Sequence, residues 1–383
     1  MKFFKYMSTI SLAVVALMAT TSCSDDELGD TIFPDTTTEL DPNSYTYKFD
    51  KWLKQEYLDV YNLDFRYKMQ DVGTDMNYNL VPAELTKAED LALLTKYLWF
   101  DVYTKVAGSE FLKMYGPRII HLIGSPAYNP QSGTMVLGLA EGGIKVSLFR
   151  VNELDNTNFD AMNEYYFKTM HHEFAHILHQ TKTIPTEFRA ISNGRYDDNN
   201  WQDQWEPRMN SLGMVTNYAS SQMREDFAEV IANYITKTDA QWEYMLKMAA
   251  RGWESESSEE DTSSKYYCWY YFEDNDAKNN KSYAEDSQVK EIKSSTGEVT
   301  YQLIDSHTGS VVKDSLGNPV AVYAVVDKDG VDGVAIINQK VSICRNWFKD
   351  EWGLDLDALR EEVQTRQLNY NMEELRKQIS DIQ

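Results

Sequence analysis

Cationic side chains are in short supply in this 383-residue chain: 37 Lys and Arg face 60 Asp and Glu, a formal net charge of −23. Binding nucleic acid needs a basic footprint that releases counterions from phosphates, and this composition excludes one. Cysteine is rarer still. Cys23, Cys268 and Cys344 are the only three, too few for a small domain stapled by disulfides. The sequence leaves open whether Cys268 and Cys344 pair or stay buried thiols. Beyond residue 22 no run reaches the roughly 18 apolar residues of a membrane-spanning helix, and no repeat appears at a solenoid period. Histidine is also scarce, with six in the chain, so where they fall carries weight.

What is present begins with MKFFKYMSTISLAVVALMATTSCSDDELGD. Lys2 and Lys5 form a charged leader, Ile10 to Met18 an apolar run, and small residues lead to Ser22. This pattern predicts a secretory signal peptide over 1–22. Cys23 resembles the lipidated cysteine of bacterial lipoproteins, although Thr20 stands where a leucine is usual. Ser24, Asp25, Asp26 and Glu27 resemble the acidic tag of lipoproteins displayed on Gram-negative cells. Together they imply an outer-membrane lipoprotein exposed at the cell surface, attached to the membrane through lipid on Cys23. Without Lys2 and Lys5 the net charge is about −25, a surface suited to solubility outside a cell.

The hydrophobic content of 42% is ample for a core, and the length suits one large domain or two moderate ones. Residues 23–43 read as a lipidated acidic tether. FRYKMQ (65–70) alternates as a strand does, and 83–106 carries apolar residues at helical spacing. RIIHLIG (118–124) is a buried-strand candidate whose His121 belongs to the core. In GGIKVSLFRV (142–151), Ile144, Val146 and Leu148 share one face and Lys145 and Ser147 the other. A helix over 160–180, a polar loop to about Ser220, and helices over 224–236 and 239–253 follow. Residues 253–335 read as an insertion, partly flexible and partly a small β unit, before C-terminal helices over 336–383 that pack on the domain 44–252. The fold class is α+β, with a small mixed sheet and a helix that carries the chemistry.

That helix contains HHEFAHILHQ (171–180), four of the six histidines. Within it lies the H-E-x-x-H pattern His172-Glu173-Phe174-Ala175-His176. Residues i and i+4 share a helical face about 5–6 Å apart, which lets two imidazoles reach one Zn2+. Glu173 can then accept a proton from water activated at the metal. Phe174, Ala175, Ile177 and Leu178 give the helix an apolar side, as a buried active-site helix requires. A pattern with alternation, GIKVSLF, comes shortly before; such a strand is expected to border the cleft and to pair with extended substrate.

A catalytic zinc takes three protein ligands and keeps one open position. His179 lies about 10 Å along the axis from His172, too far to close the site in a straight helix. The metzincin pattern needs a glycine and a third histidine where His179 and Lys182 stand, so it is excluded. The third ligand is expected from NYASSQMREDFAEVIANYI. Glu225 and Glu229 lie one turn apart there, beside an apolar stripe, and a carboxylate on a buried helix needs a partner. Glu225 is the first choice; Glu229 is the alternative, or the carboxylate that holds a ligand histidine by its other nitrogen. His171 and His179 either line the site or serve structure.

HEFAH followed by Tyr218, Glu225, Phe227, Ala228 and Glu229 resembles the gluzincin arrangement of lethal-factor-type peptidases. That resemblance implies that Tyr218 donates a hydrogen bond to the oxyanion; packing at a loop end is the other role open to it. The runs YNLDFRYKMQD, NLVPAEL, GSPAYNPQSGTMVLGLAEGGIKVSLFRVNEL, HHEFAHILHQ and EDFAEVIANYI resemble the zinc metallohydrolase lipoproteins associated with substrate import. This resemblance implies a zincin-like fold, a zinc metallopeptidase acting on peptide or protein substrates, and association with a TonB-dependent transporter and its binding lipoprotein. Residues 253–335 depart from it by their length. A different class stays open, a non-catalytic nutrient-binding lipoprotein using its nine Trp and 25 Tyr for capture. Trp201 and Trp205, in the loop 181–217, either shape substrate access or cover the helix.

Overall fold

The structure is a computed structural model. It describes residues 40–69, 79–128, 144–204, 206–250 and 331–383, the strand segments 135–136 and 138–141, and stretches between 253 and 325. The expected signal peptide, Cys23 and most of the tether therefore lie outside the described residues. Chain contacts separate Met1–Tyr47 from Lys48–Gln383. In the first unit the Ser44 amide closes a turn on the Asp41 carbonyl at 3.0 Å. The architecture below belongs to the second.

Helix α1 runs from Tyr47–Leu53 through a π turn at Lys54–Leu58 to Asp59–Tyr61, where Asn62 (φ +52°) ends it. After β1 (Asp64–Arg66), α2 spans Leu85–Thr95, a second π turn at Lys96–Phe100, and Asp101–Ala107. Leu91, Leu94, Leu98, Trp99, Phe100 and Tyr103 make this helix the centre of the core. α3 (Ser109–Tyr115) leads to β2 (Ile119–Leu122), and a hairpin of β3 (Ala127–Tyr128) and β4 (Met135–Val136) to β5 (Gly138–Glu141) and β6 (Lys145–Leu148).

The sheet has order β1-β2-β6-β5. β1 and β6 run parallel to β2, with Asp64 opposite Ile119 and Ile119 opposite Lys145; β5 is antiparallel to β6. β6 is thus a central strand, and this corrects one expectation. Both of its faces are covered, so Ser147 is buried at 2% exposure while Ile144, just before the strand, is 53% exposed. Among the described residues, the edge strand of the sheet next to the helix of the histidines is β5, not GIKVSLF. His121 is buried on β2, opposite Ser147.

α4 joins Phe159–Met162, a π turn at Asn163–Phe167 and Lys168–Thr181. The extra residue rotates the following side chains by about 100° against an unbroken α-helix. Phe174 then packs edge-on against Trp99 and Tyr103, at 5.1 Å to each ring. Residues 181–217 are not a plain loop: they hold α5 (Thr186–Ile191), a 3-10 turn at Trp201–Asp203 and α6 (Glu206–Ser211). A 3-10 turn at Tyr218–Ser220 precedes α7 (Met223–Thr236), which packs along α4 and is buried from Asp226 onward. α8 (Asp239–Ala249) starts at a capping box of Thr238 and Gln241.

Within 253–335 two hairpin-like units appear: β7 (Trp253–Ser258) pairs with β8 (Asp261–Cys268), and β9 (Tyr270–Phe272), β10 (Ser287–Lys293), β11 (Val299–Asp305) and β12 (Ala321–Val325) form a sheet of order β10-β11-β12-β9. The polar stretch 273–286, part of the flexible segment expected there, lies outside the described residues. The chain ends in α9 (Gly333–Trp352), α10 (Leu356–Asn369) and α11 (Met372–Ser380). These helices share a large apolar core with the rest of the second unit, through Ile337, Val341, Trp347, Phe348, Leu359 and Val363. Cys344 is a free, buried thiol. Among the described residues no helix is long and apolar enough to cross a membrane. The α+β class expected from sequence is the one observed, mostly helical with a small, largely parallel sheet.

Candidate metal centre

α4 and α7 lie side by side, and three donor atoms meet between them. His172 Nε2 is 3.0 Å from His176 Nε2 and 3.2 Å from Glu225 Oε2, and His176 Nε2 is 3.0 Å from the same oxygen. His172, His176 and Glu225 are the one metal-competent group found among the described residues. Spacing explains the two imidazoles, which stand one turn apart on the polar side of α4. The carboxylate comes from the first turn of α7, 49 residues after His176.

The hydrogen bonds behind these atoms fix what they offer. His172 Nδ1 lies 2.8 Å from Glu229 Oε1, so its proton sits on Nδ1 and the Nε2 lone pair points inward. Glu229 is buried, and its second oxygen accepts from Thr216 Oγ1 at 2.7 Å and Asn233 Nδ2 at 3.1 Å. His176 Nδ1 faces His179 Nε2 at 2.8 Å. Burial and the neighbouring His176 push His179 down to about 4, so the neutral His179 Nε2 can accept a hydrogen bond from His176 Nδ1–H. Two Nε2 lone pairs and one carboxylate oxygen then converge with no donor among them, an arrangement that calls for a cation. Tetrahedral ligands about 2.0–2.1 Å from one zinc lie about 3.3–3.4 Å from each other, close to the separations seen here. The donor set fits zinc.

Without an ion the cluster holds a proton instead. Burial disfavours charge on His172, but its hydrogen bonds to Glu225 and Glu229 outweigh that and hold it at about 10. The Glu225 carboxyl is also penalised by burial, yet the two histidines keep it well below the usual carboxylate range.

Glu173 is half-buried on the turn that bears His172, and its charge acts on both His172 and Tyr218. Tyr218 opens the 3-10 turn before α7, capped by Asn217. Its ring lies 5.8 Å from that of His172 and 4.7 Å from Trp201. Burial, and next the Glu225 carboxylate, hold its phenol well above the ordinary range, so at neutral pH it is a protonated donor. Trp205 lies outside the described residues. His171 faces the opposite way: its Nδ1 is 3.0 Å from the Tyr103 hydroxyl inside the core, and burial pushes it down to about 3.

Sequence reasoning missed Thr216, Asn233 and Arg224, whose Nε lies 3.4 Å from the outer oxygen of Glu225. Asn233 stands one turn after Glu229 on the same face and was the one with a readable signal. Thr216 reaches Glu229 from a loop, which no periodicity marks.

The family model described as "Putative zinc-binding metallo-peptidase" matches residues 43–357, and the chain belongs to that family. A solved structure, described as a putative zinc-binding metallo-peptidase from Bacteroides caccae ATCC 43185, is 32% identical to this chain. The similarity covers 86% of this chain and 94% of that one, with a TM-score of 0.57. No curated protein matches the chain.

Proposed function

We propose that the protein is a zinc metallopeptidase of the H-E-x-x-H gluzincin type. The observation that carries this reading is the convergence of His172 Nε2, His176 Nε2 and Glu225 Oε2 within 3.0–3.2 Å of one another, with Glu173 one residue from the first of them. These three side chains hold the metal, which when bound supplies Lewis acidity toward a carbonyl and toward water. Glu173 takes the proton of the attacking water and passes it to the leaving amine. Tyr218 donates its phenol hydrogen to the oxyanion that forms at the attacked carbonyl. Glu229 keeps the proton of His172 on Nδ1, away from the metal side. The edge strand β5 next to α4 suits an extended peptide paired by backbone hydrogen bonds.

The leader pattern, Cys23 and the acidic residues after it support display at the surface of the outer membrane through lipid. The resemblance to import-associated metallohydrolase lipoproteins supports work beside a TonB-dependent transporter and its binding lipoprotein. In this reading 44–252 and the helices 336–383 form the catalytic body, and 253–335 is inserted between them.

Incubation of the zinc-loaded protein with a peptide library tests the activity. The wild type is expected to cleave, and Glu173→Gln to lose about 10²–10⁴-fold or more of that rate while keeping its zinc. No cleavage by a fully zinc-loaded wild type would leave a binding lipoprotein as the better reading.

A further inference from the structure

Lys340 has no exposed surface and yet ends in an ammonium group. Its Nζ lies 2.6 Å from Asp226 Oδ2, and both side chains are 0% exposed. The same nitrogen donates to the Gly213 carbonyl at 2.7 Å and lies 3.3 Å from Met214 Sδ. Asp226 follows Glu225 on α7, and its Oδ2 also accepts from the Tyr196 hydroxyl at 2.9 Å. One buried carboxylate therefore joins the helix of the third donor, the segment leading to Trp201, and a helix more than a hundred residues later.

The partner helix is itself fixed in place. Gly213 sits at φ +85°, and a Cβ there would run into the Ile336 side chain of α9. At Gly333 a Cβ would meet the carbonyls of Asn210 and Ser211 at 2.6 Å. Further along α9, Trp347 Nε1 donates to the Thr183 carbonyl at 3.2 Å, and its ring lies 5.1 Å from Phe227 of α7. At the start of α7 the N-cap Gln222 makes no side-chain capping bond to the helix; its Nε2 donates instead to Asp198 Oδ1 at 2.8 Å.

A buried ion pair is a weak stabiliser, because the loss of hydration offsets the attraction and an apolar pair of the same volume often does as well. Here the Asp226 Oδ1 atom also has no hydrogen-bond partner among the described residues. Both side chains are fully buried, so removing either one leaves the other without its counter-charge. Direction is what the pair adds. We infer that Lys340 is a positioning residue for the metal centre, which through Asp226 sets the rotation of the first turn of α7 and so aims Glu225 at His172 and His176. This rests on the reading of those three residues as zinc ligands.

The test measures zinc dissociation constants by competition with a chromophoric chelator, alongside thermal unfolding of the zinc-free protein, all in the full chain. Lys340→Met leaves Asp226 buried without its counter-charge; the double variant Asp226→Leu with Lys340→Met replaces the pair by apolar side chains and keeps the fold testable. Both variants are expected to bind zinc about tenfold or more weakly, with the double variant unfolding near the wild-type temperature. A folded double variant with wild-type zinc affinity overturns the inference and leaves the ligands as assigned. A wild type that binds no zinc overturns the ligand assignment and the inference together.

Discussion

Glu229 Oε1 stands 2.8 Å from Nδ1 of His172, while Nε2 of the same ring faces Glu225 at 3.2 Å. One imidazole is thus held between two carboxylates four residues apart on α7, and they do different work. In the proposed site Glu225 presents an oxygen to the metal. Glu229, saturated by Thr216 and Asn233, orients the ring.

The two carboxylates should therefore differ on removal. Glu225→Ala deletes a ligand and is expected to abolish tight zinc binding. Glu229→Ala should weaken it about 10–100-fold, the usual cost of losing a ligand's hydrogen-bond partner. Zinc titration against a competing chelator separates them, and the reverse order would make Glu229 the ligand.

Acid should weaken zinc binding through His172. In the metal-free protein its pKa is about 10, so below that value the ring carries a proton on each nitrogen. Binding must expel the one on Nε2. Between about pH 7 and 10 the apparent zinc affinity should then rise about tenfold per pH unit, and flatten above. Calorimetry in two buffers of different ionisation enthalpy counts the proton released: about one per zinc at pH 8 agrees, and none contradicts.

Tyr218 lies against His172 and Trp201. Tyr218→Phe keeps the ring packing and removes the donor. It is expected to lower kcat by about 10²–10³-fold, the loss typical of one oxyanion donor, with zinc content unchanged. An unaltered kcat would leave the residue a packing role.

The donors of the centre were legible because helical spacing is local. His172 and His176 at i and i+4, and Glu225 and Glu229 on a second apolar-striped helix, announce themselves in sequence. β6 was legible as a strand, but its alternation does not show that both its edges are paired, by β2 and β5. α5 and α6 are six residues each, too short for a 3.6-residue period to emerge. β7 and β8 are polar enough to read as unstructured. Nothing in the sequence marks Lys340 as buried, since its burial depends on Asp226, over a hundred positions earlier. The choice of side for His171 was likewise invisible until Tyr103 and Trp99 appeared beside it.

The central claim is that His172, His176 and Glu225 hold one zinc ion. Elemental mass analysis of the purified wild type beside His176→Ala tests it most directly. The account predicts about one zinc per wild-type chain, the stoichiometry of a three-ligand site with one open position, and little in the variant. No zinc in the wild type after refolding with excess metal, or equal zinc in both proteins, would contradict it.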